Sequence, residues 1–411
     1  MLDLEALVGE MHGLAEEVVR SAQDTLDRQQ QAVEQVAEAA GMPRLREAVQ
    51  ELRQSMALPA EGRDMRETYP APPAGDYTVI ATDGSQVVPD YHHVAPWYVV
   101  NAGGVVLRYG APEGRDRCRL LSVPRLLPPK RAAAEPDREA DARASAASVT
   151  GRVELDRLEA ELACARDLVR EEADPGRTVL LLDGPLVQWR MIQELRERPD
   201  ARFLLDLFQD LLEACHRKQT LVAGYISRSR AVAWITLLRL SLCPDVPVRG
   251  ALCAKCKKDF LSRYAAPNPD AHHAGLAGLT DVHVAERLIP ERYYRTQVLE
   301  LKSEDWEQLT GGNDAAGFFY LNTGTEIARV EVPGWVWQNE ALLGRLHGVL
   351  ADQCENGNGY PMVLSEAHEQ AVVRGPDRTE FYALVERVLN DHGFYTAAYS
   401  AKAVSKQRPL A

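Results

Sequence analysis

The sequence predicts an α/β fold in which an antiparallel meander leads into parallel βα units. Three observations carry that reading. After residue 76, short apolar runs of strand length alternate with stretches of helical periodicity. The tetrad Asn101-Ala102-Gly103-Gly104 separates two of these runs with a hairpin turn signal. Two other runs end on the same dipeptide, in Ala81-Thr82-Asp83-Gly84-Ser85 and in Leu181-Leu182-Asp183-Gly184-Pro185.

Taken in order, residues 1 to 56 predict an N-terminal helical arm. Leu2, Leu4, Leu7, Met11, Leu14, Val18 and Val19 recur at three- and four-residue spacing, with a break at Gly41-Met42-Pro43. A Pro- and Gly-rich connector, Pro59–Gly75, closes the arm. Strands are then predicted at Tyr77–Ala81, His93–Val100 and Val105–Tyr109, followed by a basic loop and a helix from Arg143 to Glu172. Val179–Leu182 reads as a strand buried on both faces. A helix (189–217), the strand Leu221–Ile226 and the helix Arg230–Leu242 follow. Three strands, helix, strand, helix, strand, helix is the order of a ribonuclease-H-like core, a mixed sheet in which carboxylates on the first and fourth strands share one metal site. Asp83 and Asp183 take those places. The expected organisation is arm and connector over 1–75, core over 76–242, a basic helical/loop insertion over 243–292, and a part over 293–411 that completes the core's domain. That last part includes strands at Phe318–Asn322 and Ile327–Val332 and the helix Thr379–Leu389.

Composition narrows the function classes. No run of 18 apolar residues is present, so no membrane span is expected. The start Met1-Leu2-Asp3-Leu4-Glu5 lacks a signal peptide's basic and apolar regions, and seven scattered cysteines read as reduced thiols in the cytoplasm. A net charge of -13 excludes a general nucleic-acid coat but not a nuclease with its positive charge confined to a groove. Arg115, Arg117, Arg119, Arg125, Lys130 and Arg131 form one basic stretch, and Arg249, Lys255, Lys257, Lys258 and Arg263 a second.

Carboxylates held rigidly at strand ends are hard oxygen ligands for divalent cations. Two-metal hydrolysis of a phosphodiester needs three or four of them, around cations about 3.5–4 Å apart. The helix between the two Asp-Gly blocks offers Glu154, Glu159 and Glu161, of which Glu154 is preferred because it precedes the apolar face. Late in the chain, Tyr360 can orient a phosphate or water through its hydroxyl, and His368 can ligate metal or move a proton. Cys253 and Cys256, with Cys243 and His272 or His273, hold zinc-compatible atoms, but no regular second pair follows and reduced thiols are the preferred reading. His92-His93 reads as a turn feature. Nucleotide phosphotransfer is disfavoured, since no Walker-type loop occurs. A non-catalytic DNA-channel or adaptor subunit of a translocase is the alternative to a nuclease.

Several short blocks occur together and in order: Thr82-Asp83-Gly84-Ser85-Gln86, Leu182-Asp183-Gly184-Pro185-Leu186, Gly224-Tyr225-Ile226-Ser227-Arg228, Arg329-Val330-Glu331-Val332-Pro333, and Tyr360 with His368. In these the chain resembles the NurA family of DNA nucleases, which act with the hexameric HerA helicase in DNA end processing. The resemblance implies a ribonuclease-H-like core, two manganese or magnesium ions, and 5′-to-3′ exonuclease with single-strand endonuclease activity in end resection and repair. It also implies a homodimer with a channel for single-stranded DNA and duplex ends. Carried over, Asp83, Glu154 and Asp183 are the metal carboxylates, and Tyr360 and His368 the late catalytic pair, with His368 a further ligand. Pro185 and Arg228 depart from the small hydroxyl residue and the lysine expected there. Arg228, with Arg117, Arg119, Lys257 and Lys258, is expected to grip phosphates without reading sequence.

Overall fold

A computed structural model of the chain describes residues 4–52, 56–59, 63–88, 97–110, 116–128, 139–172, 174–187, 202–261, 271–312 and 314–393. Helices α1 (Leu4–Ala40) and α2 (Leu45–Glu51) precede the short strands β1 (Met56–Leu58) and β2 (Thr68–Pro70). The long strands β3 (Tyr77–Val87), β4 (Tyr98–Tyr109) and β5 (Cys118–Leu127) come next, then α3 (Glu139–Glu171), β6 (Thr178–Asp183), α4 (Arg202–Lys218) and β7 (Leu221–Ile226). Helices α5 (Ala233–Ser241), α6 (Val246–Arg249), α7 (Ala254–Leu261) and α8 (Asp281–Leu288) lead to β8 (Tyr294–Thr296), β9 (Leu299–Lys302) and α9 (Glu304–Thr310). Strands β10 (Gly317–Asn322) and β11 (Ile327–Val332) are followed by α10 (Gly334–Trp337), α11 (Glu340–Asn356), α12 (Met362–Ala371) and α13 (Gly375–Asp391). These form two compact units interleaved along the chain. One is Met1–Ala74, Gly184–Ile192 and Val222–Pro361; the other is Gly75–Asp183, Gln193–Leu221 and Met362–Ala411.

In the first unit the strands run β1-β9-β10-β11-β7, with β2 and β8 as a short ribbon beside β10. Trp234, Trp306, Tyr320, Phe318 and Phe319 fill its core. The arm docks through its second half, where Ala32, Val36 and Ala39 are buried and Gln35 Nε2 donates to Ser241 Oγ at 2.9 Å. Its first half leaves Val8, Met11, Leu14 and Val18 exposed.

In the second unit the order is β6-β3-β4-β5, with β3 parallel to β6 and antiparallel to β4. This corrects two readings of the sequence. The tetrad 101–104 is not a turn, because β4 runs straight through it and pairs with both β3 and β5. Gly103 and Gly104 are there because helices press on both faces of the strand. A Cβ on Gly103 would lie 2.6 Å from the Ala367 carbonyl oxygen of α12, and one on Gly104 would lie 2.9 Å from Cys164 Sγ of α3. Neighbouring residues on a strand face opposite ways, so α3 and α12 cover opposite sides of the sheet. The third meander strand is therefore β5, within the stretch read as a basic loop. Nor does β3 end at Asp83: it continues through Gly84 to Val87 along β4.

Candidate metal and nuclease site

In the second unit the pairing of β3 with β6 stops at Thr82↔Leu182, so the next residues on the two parallel strands are Asp83 and Asp183. In-register parallel neighbours lie about 4.8 Å apart with side chains on one face. The second Asp-Gly block does end its strand: Asp183 is the last, exposed residue of β6, and Gly184 takes a φ of 116°. In the first block Gly84 has a different task. A Cβ there would lie 2.8 Å from Arg157 Cγ, so the missing side chain lets the α3 arginine lie across the strand.

Asp83 is held on both oxygens. Its Oδ1 accepts the Gly84 backbone N–H at 2.7 Å, and its Oδ2 lies 2.8 Å from His368 Nδ1. A carboxylate only accepts, so the imidazole donates from Nδ1. The His368 side chain is 63% exposed, which leaves Nε2 open to solvent or a ligand. Helix α12 is fixed beside it: Asn101 Nδ2 donates to the Ala371 carbonyl at 2.9 Å, and Ser85 Oγ donates to the same oxygen.

Of the three candidate glutamates on α3, Glu161 is the one placed beside the two aspartates. Burial pushes the Glu161 carboxyl up to about 8; Arg157 opposes that rise, and the charges of Asp83 and Asp183 add to it. Arg157 Nη1 bridges Glu161 Oε2 at 3.2 Å and the Gly84 carbonyl at 3.3 Å. Glu154 shares the face of Glu161 but lies two turns, about 10 Å, toward the N-terminus of α3, and is exposed there. Glu159 is committed to β5, with Oε1 3.8 Å from Arg125 Nη1. Arg157 was missed by sequence reading; its signal was the (i, i+4) spacing to Glu161 opposite a glycine-bearing strand.

Three carboxyls thus converge, one of them reluctant to ionise beside the others. A divalent cation would supply the missing positive charge, and the oxygen donors suit manganese or magnesium. The donor set fits such an ion.

The remaining expected residues are spread over both units. Tyr360 belongs to the first unit, its ring edge-on to Tyr225 at 5.4 Å. Arg228 is exposed in the first unit with φ 47°, lining a 780 Å³ cavity with Arg230 and Glu326. Its backbone N–H donates to Glu326 Oε2 at 3.1 Å. In the same unit Gly224 allows the 184–186 backbone to pass 2.6 Å from where its Cβ would be, and Glu331 Oε2 accepts the Val187 N–H at 3.1 Å. The motif blocks around 224 and 331 therefore brace the segment that follows Asp183 in the chain. Arg117 and Lys257 are exposed, whereas Arg119 is ion-paired with Glu171 at 2.5 Å. His92, His93, Arg115, Lys130, Arg131 and Arg263 lie outside the described residues, as does the side chain of Lys258.

The NurA domain family model matches residues 77–373. Among solved structures the chain is similar to the NurA nuclease from Sulfolobus solfataricus, at 14% identity and a TM-score of 0.50, covering 95% of this chain and 98% of that one. It is also matched to NurA bound to dAMP and manganese (11% identity, TM-score 0.31, 74% of this chain and 86% of that one). A third match is NurA with manganese (11% identity, TM-score 0.33, 79% and 90%). The first of these likenesses shows a shared fold. No curated protein matches the sequence.

Proposed function

The chain belongs to the NurA domain family, and from that premise we propose that it is a divalent-metal-dependent DNA nuclease built on a ribonuclease-H-like core. The order β6-β3-β4-β5, with a parallel β3–β6 pair, supports the core. One observation carries the activity: Asp83 and Asp183 occupy adjacent register positions, and both bear on the carboxyl of Glu161.

Asp83, Asp183 and Glu161 would hold the metal. When bound, a pair of manganese or magnesium ions supplies an activated water and stabilises the leaving oxygen of the phosphodiester. Asp83 also fixes the His368 ring through Nδ1, and the exposed Nε2 takes a proton or serves as a further ligand. Arg157 keeps Glu161 in place, so the helix carboxylate is pre-set before substrate arrives. Exposed Arg228, Arg117 and Lys257 bind backbone phosphates of single strands and duplex ends.

The finer activity, 5′-to-3′ exonuclease with single-strand endonuclease action in end resection and repair, belongs to the same proposal. So do a homodimer, a HerA-type hexameric partner and a cytoplasmic setting. The exposed apolar residues Val8, Met11, Leu14 and Val18 of α1 supply a surface for such a partner or second copy. Among the described residues no helix is long and apolar enough to cross a membrane.

The deciding experiment incubates the purified protein with end-labelled single- and double-stranded DNA in manganese, magnesium or chelator. Cleavage with metal, abolished by chelator and by Asp83→Asn, is expected. DNA binding without cleavage in either metal would overturn the nuclease in favour of a non-catalytic channel or adaptor subunit.

A further inference from the structure

We propose that Cys243, Cys253 and Cys256 form a structural zinc site in the first unit, a role the nuclease reading neither needs nor supplies. Among the described residues these are the one set of three potential ligands whose donor atoms all lie within 4.8 Å of one another. Cys243 and Cys256 are buried and Cys253 is half-buried. A zinc ion with bonds of about 2.3 Å to sulfur holds tetrahedral ligands about 3.8 Å apart, about 1 Å inside the upper limit of the observed spacing. No disulfide is formed.

The surroundings of the sulfurs give a second, independent reason. Each accepts a backbone N–H. Cys243 Sγ receives the Cys253 N–H at 3.3 Å. Cys253 Sγ receives those of Cys256 and Lys255, at the start of α7. Cys256 Sγ receives that of His272. Amides aimed at sulfur stabilise thiolate and orient it, as outer-shell partners do in metal centres. The backbone of His272 already reaches the cluster and its side chain is exposed, so its imidazole, or a water, completes the tetrahedron.

The ion would tie the end of α5 to the start of α7 and to the 272 segment. Exposed Lys255 and Lys257 are carried on that clamp. Three thiolates select a soft, tetrahedral ion over the manganese or magnesium that suits carboxylates.

The test uses the full-length protein. It is reduced, stripped of metal and titrated with zinc, with cobalt as a spectroscopic substitute. Expected are about one zinc per chain, a near-ultraviolet sulfur-to-cobalt charge-transfer band, and zinc protection of Cys243, Cys253 and Cys256 from alkylation mapped by mass spectrometry. Asp83→Asn should keep the zinc, while Cys253→Ser and Cys256→Ser should lose it. The wild-type cobalt spectrum and alkylation map stand even if those variants fold poorly. No charge-transfer band together with equal alkylation with and without zinc would overturn the site. So would a Cys253–Cys256 disulfide whose reduced thiols take up no metal.

Discussion

Asp83, Asp183 and Glu161 come from two strands and a helix far apart in the chain, whereas Cys243, Cys253 and Cys256 come from one short stretch. The three thiols fit within 4.8 Å, and the three carboxylates do not share so small a sphere. The difference follows from charge. A protonated thiol carries no charge, so thiols repel one another less than carboxylates do and can crowd together before a metal arrives. Carboxylates repel, so a scaffold must hold them apart around the space their cations will fill. A soft site therefore declares itself by short distances, and a hard one by a carboxyl driven up to about 8 beside its neighbours.

That contrast can be broken or sharpened by experiment. Asp83→Asn or Asp183→Asn removes a hard ligand worth several kcal/mol in the transition state, so cleavage should fall roughly 10³-fold with zinc content unchanged. A variant that loses both would show that the two sets are not independent. His368→Ala should lower turnover roughly 10²-fold, with a change in stability below about 0.5 kcal/mol because the ring is exposed. Gly103→Ala forces a Cβ into the α12 backbone and should destabilise the protein by about 1–3 kcal/mol, read by denaturant unfolding.

Glu161 tests the hard site through pH. Its folded value is about 8 against an ordinary 4.5, so protonated Glu161 stabilises the metal-free fold at low pH. That contribution is lost as pH rises from about 4.5 through 8. The Tm of metal-free wild type should therefore drop relative to Glu161→Gln across that window, while manganese affinity of the wild type rises over it and levels off above. Glu154→Gln should leave the Tm profile as in wild type and the manganese affinity within about twofold of it; a larger loss of affinity than with Glu161→Gln would return the helix ligand to residue 154. The smallest effect belongs to Arg228→Ala, which should make the slope of log affinity against log salt shallower by about 1 with cleavage of saturating DNA unchanged.

Much of this was legible in the sequence, for physical reasons that also explain the misses. Apolar runs located β7, β10 and β11 closely, because buried strands leave little room for polar residues. The two Asp-Gly blocks marked the two aspartates, yet identical dipeptides hid different structures. Gly184 turns the chain with a positive φ, while Gly84 sits inside a strand to clear the Arg157 stem. The tetrad 101–104 misled in the same way, because glycine serves close helix packing as well as turns. Glu161 could not be separated from Glu154 by periodicity, since a seven-residue step returns to the same face of a helix. Only the position of α3 along the sheet decides between them. The cysteines were visible as Cys-x-x-Cys, but what brings Cys243 to them is the folded path between α5 and α7.

The most direct measurement is anomalous diffraction from crystals soaked in manganese. Anomalous density bonded to Asp83, Asp183 and Glu161 is the predicted result. Manganese bound elsewhere, with those three carboxyls bare, would contradict the account.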